Sequence, residues 1–153
     1  MHTVELLPTD EVSARVRALW DRLAAAGLPS LATHQHPTNR PHLTLVTAES
    51  LTGLPPLGLP LEFTLTEVRM LGRALVWAVM PSSSLRALHS AVWSSIGGWP
   101  PSPEFEPHLS LALRMPEQSR PAALDLLATT PPLSGTFIAA RTYDTDHRTV
   151  RDL

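Results

Sequence analysis

Apolar and polar positions along this chain follow two periods, and the switches between them mark out its elements. Val4 to Leu7 is a short apolar run that predicts a strand. Pro8-Thr9-Asp10-Glu11 then opens a helix, with Thr9 or Asp10 as the cap and acid in the first turn. Val12, Val16, Leu19 and Leu23 recur at helical spacing, and Gly27 is the stop. Pro29 to Pro41 reads as loop and carries His34 and His36. A strand is expected over about His42 to Thr47, then a loop through Pro60. Leu61 to Met70 and Ala74 to Met80 flank Gly72-Arg73 and predict a hairpin. After the cap cluster Ser82-Ser83-Ser84, the positions Leu85, Leu88, Val92 and Ile96 form a second helical stripe, which ends at Gly97-Gly98. A Pro-rich loop leads to a strand over about His108 to Leu113. A short helix is expected from near Ser119 to near Thr129, with Pro121 in its first turn. Gly135 to Tyr143 and His147 to Arg151 predict a last hairpin around Asp144-Thr145-Asp146. Both halves, roughly 1–80 and 81–153, therefore run helix, strand, hairpin.

The two strands that follow the helices are near-copies. Pro-His-Leu-Thr-Leu at Pro41 to Leu45 returns as Pro-His-Leu-Ser-Leu at Pro107 to Leu111. Residues i and i+2 of a strand share a face, roughly 7 Å apart. His42 and Thr44 thus point one way and Leu43 and Leu45 the other, and His108 with Ser110 repeats the arrangement. One such triplet is weak evidence of chemistry, because a lone strand histidine is usually structural. Two copies in halves of matching order point to two imidazoles and two hydroxyls meeting at one small volume.

Composition narrows what that volume holds. A chain of 153 residues with 43% hydrophobic residues suits one domain, 1–153, with a real core. The net charge of −2 argues against a long nucleic-acid footprint, though a nucleotide or an RNA end needs few contacts. Cysteine is absent, which excludes disulfides, thiolate metal sites and a Cys nucleophile. No apolar run is long enough to span a bilayer, and the first residues lack the pattern of a signal peptide, so a cytoplasmic, monomeric protein is expected. The sixteen prolines fall mostly in loops and predict stiff connections, not a disordered linker.

Imidazole titrates near neutrality, so one ring can take a proton while the other gives one. Hydroxyls hold non-bridging phosphate oxygens without adding charge. That set suits in-line displacement at a phosphodiester without a metal or other cofactor. The pair His42-Leu43-Thr44 and His108-Leu109-Ser110 resembles the signature motifs of the two-histidine (2H) phosphoesterase superfamily, which includes bacterial 2′,5′-RNA ligases and cyclic phosphodiesterases. The stretch Thr38-Asn39-Arg40-Pro41-His42 is similar to the short bacterial 2′,5′-RNA-ligase-like proteins. The resemblance implies a bilobal α+β fold, with two pseudo-symmetric antiparallel sheets around a cleft and helices outside. It implies opening of 2′,3′-cyclic phosphates of nucleotides or RNA ends, and in some members 2′,5′ ligation. His42 and His108 are then the catalytic histidines, and Thr44 and Ser110 the phosphate-holding hydroxyls. A non-catalytic module that binds a nucleotide or RNA end in the same cleft is the alternative.

Further residues are candidates for substrate binding. Arg114 shares strand parity with His108 and Ser110, and Arg40 precedes the first motif by two residues. Trp99 and Phe105 precede the second motif, where an aromatic can stack on a base. His34 is a candidate cleft-rim contact, and Tyr143, the sole tyrosine, has a polar end that can touch a ligand. His34, His36 and His42 lack the carboxylates of a metal site, so no metal is expected. His89 is expected to be a packing or surface residue.

Overall fold

The structure is a computed structural model that describes residues 1–34 and 36–153. In chain order the elements are β1 (His2–Pro8), α1 (Asp10–Ala25), β2 (Leu43–Ala48), β3 (Leu61–Leu71), β4 (Ala74–Val79), α2 (Ser83–Ile96), β5 (His108–Ala112), α3 (Arg120–Leu126), β6 (Leu133–Asp144) and β7 (Thr149–Asp152). The periodicities forecast these elements closely. Thr9 caps α1 by accepting from the Val12 amide, and Ser82 caps α2 by accepting from the Leu85 amide. Val12, Val16, Leu19 and Leu23 are buried, as their spacing requires. The Gly72 turn and the turn after Asp144 close the two expected hairpins.

All strand pairs are antiparallel, in the order β2-β1-β6-β3-β4-β5, with β7 also on β6. A strand–helix–strand unit repeats: β1, α1, β2 in the first half and β4, α2, β5 in the second. The α+β class is as expected, but in place of two sheets hydrogen bonding forms one sheet of seven strands. The cause is the length of β3 and β6. The first part of each, Leu61 to Leu65 and Leu133 to Phe137, pairs with the other across the molecular centre. The remainder of β6 then pairs with β1, and the remainder of β3 with β4. We refer to β2-β1-β6 as the first lobe and β3-β4-β5 as the second.

The motif strands β2 and β5 are the two edges of this sheet, yet they lie against each other. The sheet therefore curls until its ends meet. The two long helices back the edges: α1 packs on β5, and α2 on β2. Trp20 of α1 donates its indole N–H to the Ser110 carbonyl oxygen at 3.0 Å. A backbone clamp adds to this, with the Thr47 and Trp99 amides and carbonyls bonded reciprocally at 2.9 and 3.0 Å. Gly98 permits the clamp. Its φ is +89°, and a Cβ there would lie 2.3 Å from the Thr47 carbonyl oxygen.

Both edge strands carry a bulge at the same place. Val4 opposes Val46 and Glu5 opposes Thr44, which leaves Leu45 as an extra residue. Leu75 opposes Ala112 and Val76 opposes Ser110, which leaves Leu111. Leu45 and Leu111 are both fully buried. A bulge bends its strand and re-aims the residues beyond it, so each edge turns directly after its hydroxyl.

Candidate active site

The repeated proline-histidine pair now has a structural reason. The His42 Nδ1 lies 2.7 Å from the Arg40 carbonyl oxygen, and the His108 Nδ1 lies 2.8 Å from the Glu106 carbonyl oxygen. A carbonyl only accepts, so Nδ1 carries the proton in both rings. Each ring is thereby held by the residue two positions back, across the intervening proline. Among the described residues neither Nε2 makes a hydrogen bond, and that of His42 stands 3.7 Å from the Glu5 carboxylate.

The two motifs approach each other, and the charge of His42 is felt at the His108 ring. His42 of the first lobe and Ser110 of the second line the same cavity, of about 500 Å³. Burial pulls the His108 ring below the ordinary imidazole range, and the charges of His42 and Arg69 push the same way. The bond to the Glu106 carbonyl and that residue's carboxylate oppose the shift.

Behind each ring the lobes differ. Glu5 sits opposite Thr44 on β1 and is almost wholly buried. Its Oε1 accepts from Arg141 Nε at 2.7 Å, and its Oε2 accepts from the Thr3 hydroxyl at 2.7 Å. Arg141 also donates to the Thr38 carbonyl oxygen at 2.8 Å. The same Oε1 stands 3.7 Å from His42 Nε2, where it can balance an imidazolium. In the second lobe the position of Glu5 is taken by Val76, and that of Arg141 by Arg69.

The cavity extends from His42 over the first lobe. His34, Arg40, Tyr143 and Arg148 line it, together with Leu113 and Asn39. Asn39 shapes this wall by donating to the carbonyl oxygens of Leu31 and His34, both at 2.8 Å. Among the described residues no three histidine or acidic side chains converge as metal ligands.

Three expectations change. Arg114 does not share the face of His108 and Ser110, because the bulge at Leu111 reverses the alternation. Leu113 takes the place on the cavity wall, and Arg114 is exposed beyond the end of β5. Phe105 stacks on the buried His89 ring, with centroids 4.0 Å apart, so it packs the loop instead of offering a platform. Trp99 is 64% exposed and contributes its backbone to the clamp, and it does not line the cavity. Glu5, Arg69 and Arg141 went unnoticed in the sequence. The available signal was a lone charge inside an apolar strand, as in Val4-Glu5-Leu6 and Val68-Arg69-Met70.

The sequence signature of the 2′-5′ RNA ligase superfamily matches residues 47–148. The chain belongs to this superfamily. The match contains His108 and Ser110 and begins after His42 and Thr44, which carry the same tether and bulge in the first lobe. Two solved structures share that fold. One is the MHV ns2 PDE domain, with a TM-score of 0.54 and 12% identity over 99% of this chain and 97% of that one. The other is E. coli LigT, in a complex with NADP+, with a TM-score of 0.52 and 18% identity over 99% of this chain and 92% of that one. No curated protein matches the sequence.

Proposed function

We propose that the protein is a phosphoesterase that opens 2′,3′-cyclic phosphates of nucleotides or RNA ends, with 2′,5′ ligation as the related reaction of the same groups. The observation that carries this reading is the pair of identically tethered imidazoles, each held through Nδ1 and followed two residues on by a hydroxyl. Superfamily membership supports the reaction class.

The asymmetry of the lobes supports a division of roles. His108 is held toward its neutral form by burial and nearby positive charge, as a general base must be. His42 has the Glu5 carboxylate beside its Nε2 and borders the cavity, which has room for a nucleoside. His108 Nε2 takes a proton from water as the water oxygen bonds to phosphorus. The bond from phosphorus to one ribose oxygen breaks, and His42 Nε2 gives that oxygen its proton. Thr44 and Ser110 steady the non-bridging oxygens as charge redistributes. Exchange with solvent resets both rings.

In this reading residues 1–153 act as one unit, because both halves supply the site. His34, Arg40 and Tyr143 are the rim contacts of the nucleoside. Incubation with 2′,3′-cyclic AMP and chromatography tests the proposal. The expected result is a single adenosine monophosphate, with a bell-shaped pH profile and no loss of rate in EDTA. Tight binding without product would replace the enzyme with a nucleotide-binding module.

A further inference from the structure

The two lobes place an arginine at equivalent positions and use it differently. Arg141 opposes Glu5, which opposes Thr44, so these three form one cross-strand row. Arg69 opposes Val76, which opposes Ser110, and forms the matching row in the second lobe. Directly opposed residues share a face. Arg69 therefore lies on the face that carries Ser110, one row from His108.

The partners of the two guanidinium groups differ in kind. Arg141 is 7% exposed and is committed to a buried carboxylate at 2.7 Å. Arg69 has no buried acid to hold, because Val76 replaces Glu5. Its side chain is 38% exposed, and its ion partners Glu67 and Glu106 are themselves exposed and stand at 3.7 Å. Among the described residues its one side-chain hydrogen bond is a long donation to the Met70 carbonyl oxygen, at 3.3 Å. Exposed pairs of that length contribute little and exchange readily for a better anion. A guanidinium forks onto two phosphate oxygens at once.

We infer that Arg69 is the phosphate clamp of the cleft: it seats the reacting phosphate against Ser110 and His108, and so directs the nucleoside into the cavity beside His42. This rests on the phosphoesterase reading and adds an orientation to it. The substrate enters with its anion on the second lobe and its ribose and base on the first. Glu5 is the reason why only one of the two arginines is free to do this.

The test compares the unaltered protein with Arg69→Lys and Arg69→Gln, each checked by circular dichroism and thermal melting for an unchanged fold. With 2′,3′-cyclic AMP, Arg69→Gln is expected to lower kcat/KM by about 100-fold, and Arg69→Lys by about 10-fold, the range for charged hydrogen bonds. Loss of the Arg69 charge also lets His108 bind its proton more readily. The acid limb of the rate profile should therefore move to higher pH in Arg69→Gln and stay in place in Arg69→Lys. The other charges near His108, those of Glu106 and His42, are unchanged in both variants. Calorimetric titration with 2′-AMP separates this inference from the reaction itself. If the unaltered protein binds 2′-AMP but turns over nothing, the enzyme reading fails, and a drop of at least 10-fold in affinity for Arg69→Gln still supports the clamp. Equal affinity or equal kcat/KM in Arg69→Gln overturns the clamp, as does the absence of 2′-AMP binding by the unaltered protein.

Discussion

The first and second lobes are built on one plan and differ by a buried carboxylate. Each has a tethered histidine, a hydroxyl two residues on, a bulged leucine and an arginine two strands away. In the first lobe Glu5 locks the arginine and flanks the imidazole. In the second lobe Val76 leaves the arginine with exposed partners only, and the imidazole is lowered by burial first and then by the charges of His42 and Arg69, against the Glu106 carboxylate. The difference teaches how a duplicated motif stops being redundant. Two equal rings would share the roles of acid and base without preference, and unlike surroundings favour one assignment. Here one internal position, glutamate against valine, separates them.

The largest effects should come from removing either ring. His42→Ala and His108→Ala are each expected to lower the turnover of 2′,3′-cyclic AMP by about 10²- to 10⁴-fold. Under the proposed division of roles, the remaining pH profile should lose a different limb in each variant. His108→Ala should lose the acid limb and His42→Ala the alkaline one. Stopped assays across pH 5 to 9 read this, and identical residual profiles would break the division of roles.

Next in size is the buried network of the first lobe. Glu5→Gln keeps the shape and leaves the Arg141 charge without its counter-ion. The expected loss is about 3–5 kcal/mol of folding stability, read by urea unfolding. The equivalent change in the second lobe, Arg69→Gln, should cost less than about 1 kcal/mol, because its pairs are exposed. Equal costs would mean that the lobes are not distinguished in the way described.

A smaller effect is expected where the edges meet. Gly98→Ala drives a Cβ into the Thr47 carbonyl at a φ of +89°. A loss of about 1–3 kcal/mol is expected, together with a rise in KM as β2 and β5 separate. A melt and a Michaelis curve on the same sample check both.

The smallest effect is in pH. The buried His89 ring titrates below its ordinary range because burial disfavours its charge, opposed by its bond to the Pro100 carbonyl, and His108 is lowered as well. Both rings bind protons more readily in the unfolded chain, whose histidines titrate near pH 6.5. Their contribution to stability is full above about that pH and declines as pH falls through the lowered folded values. Urea midpoints should drop from pH 7.5 to pH 5.5, and His89→Gln should reduce the drop. A midpoint that rises on acidification would contradict the sign.

Much of this arrangement was legible in the sequence, and for local reasons. Capping, helical stripes and the duplicated pentapeptide are short-range signals, so the elements and the two matching edge strands could be named from them. What stayed hidden depends on partners far apart in the chain. Glu5 and Arg141 are 136 positions apart, and only the pairing of β1 with β6 makes them neighbours. The joining of two sheets into one follows from the shared length of β3 and β6, which looked in the sequence like two separate hairpin arms. Arg114 was misjudged because strict alternation assumes an unbroken strand, and nothing in Leu109-Ser110-Leu111-Ala112 announces a bulge. Phe105 drew interest as a loop aromatic, while its partner, His89, lies on a preceding helix.

A crystal structure of the protein with 2′-AMP bound tests the central claim most directly. The account predicts one phosphate within about 3 Å of both Nε2 atoms, with Arg69 forked onto it and the adenosine lying over the first lobe. A phosphate that meets only one ring, or that meets Nδ1 in place of Nε2, would contradict it.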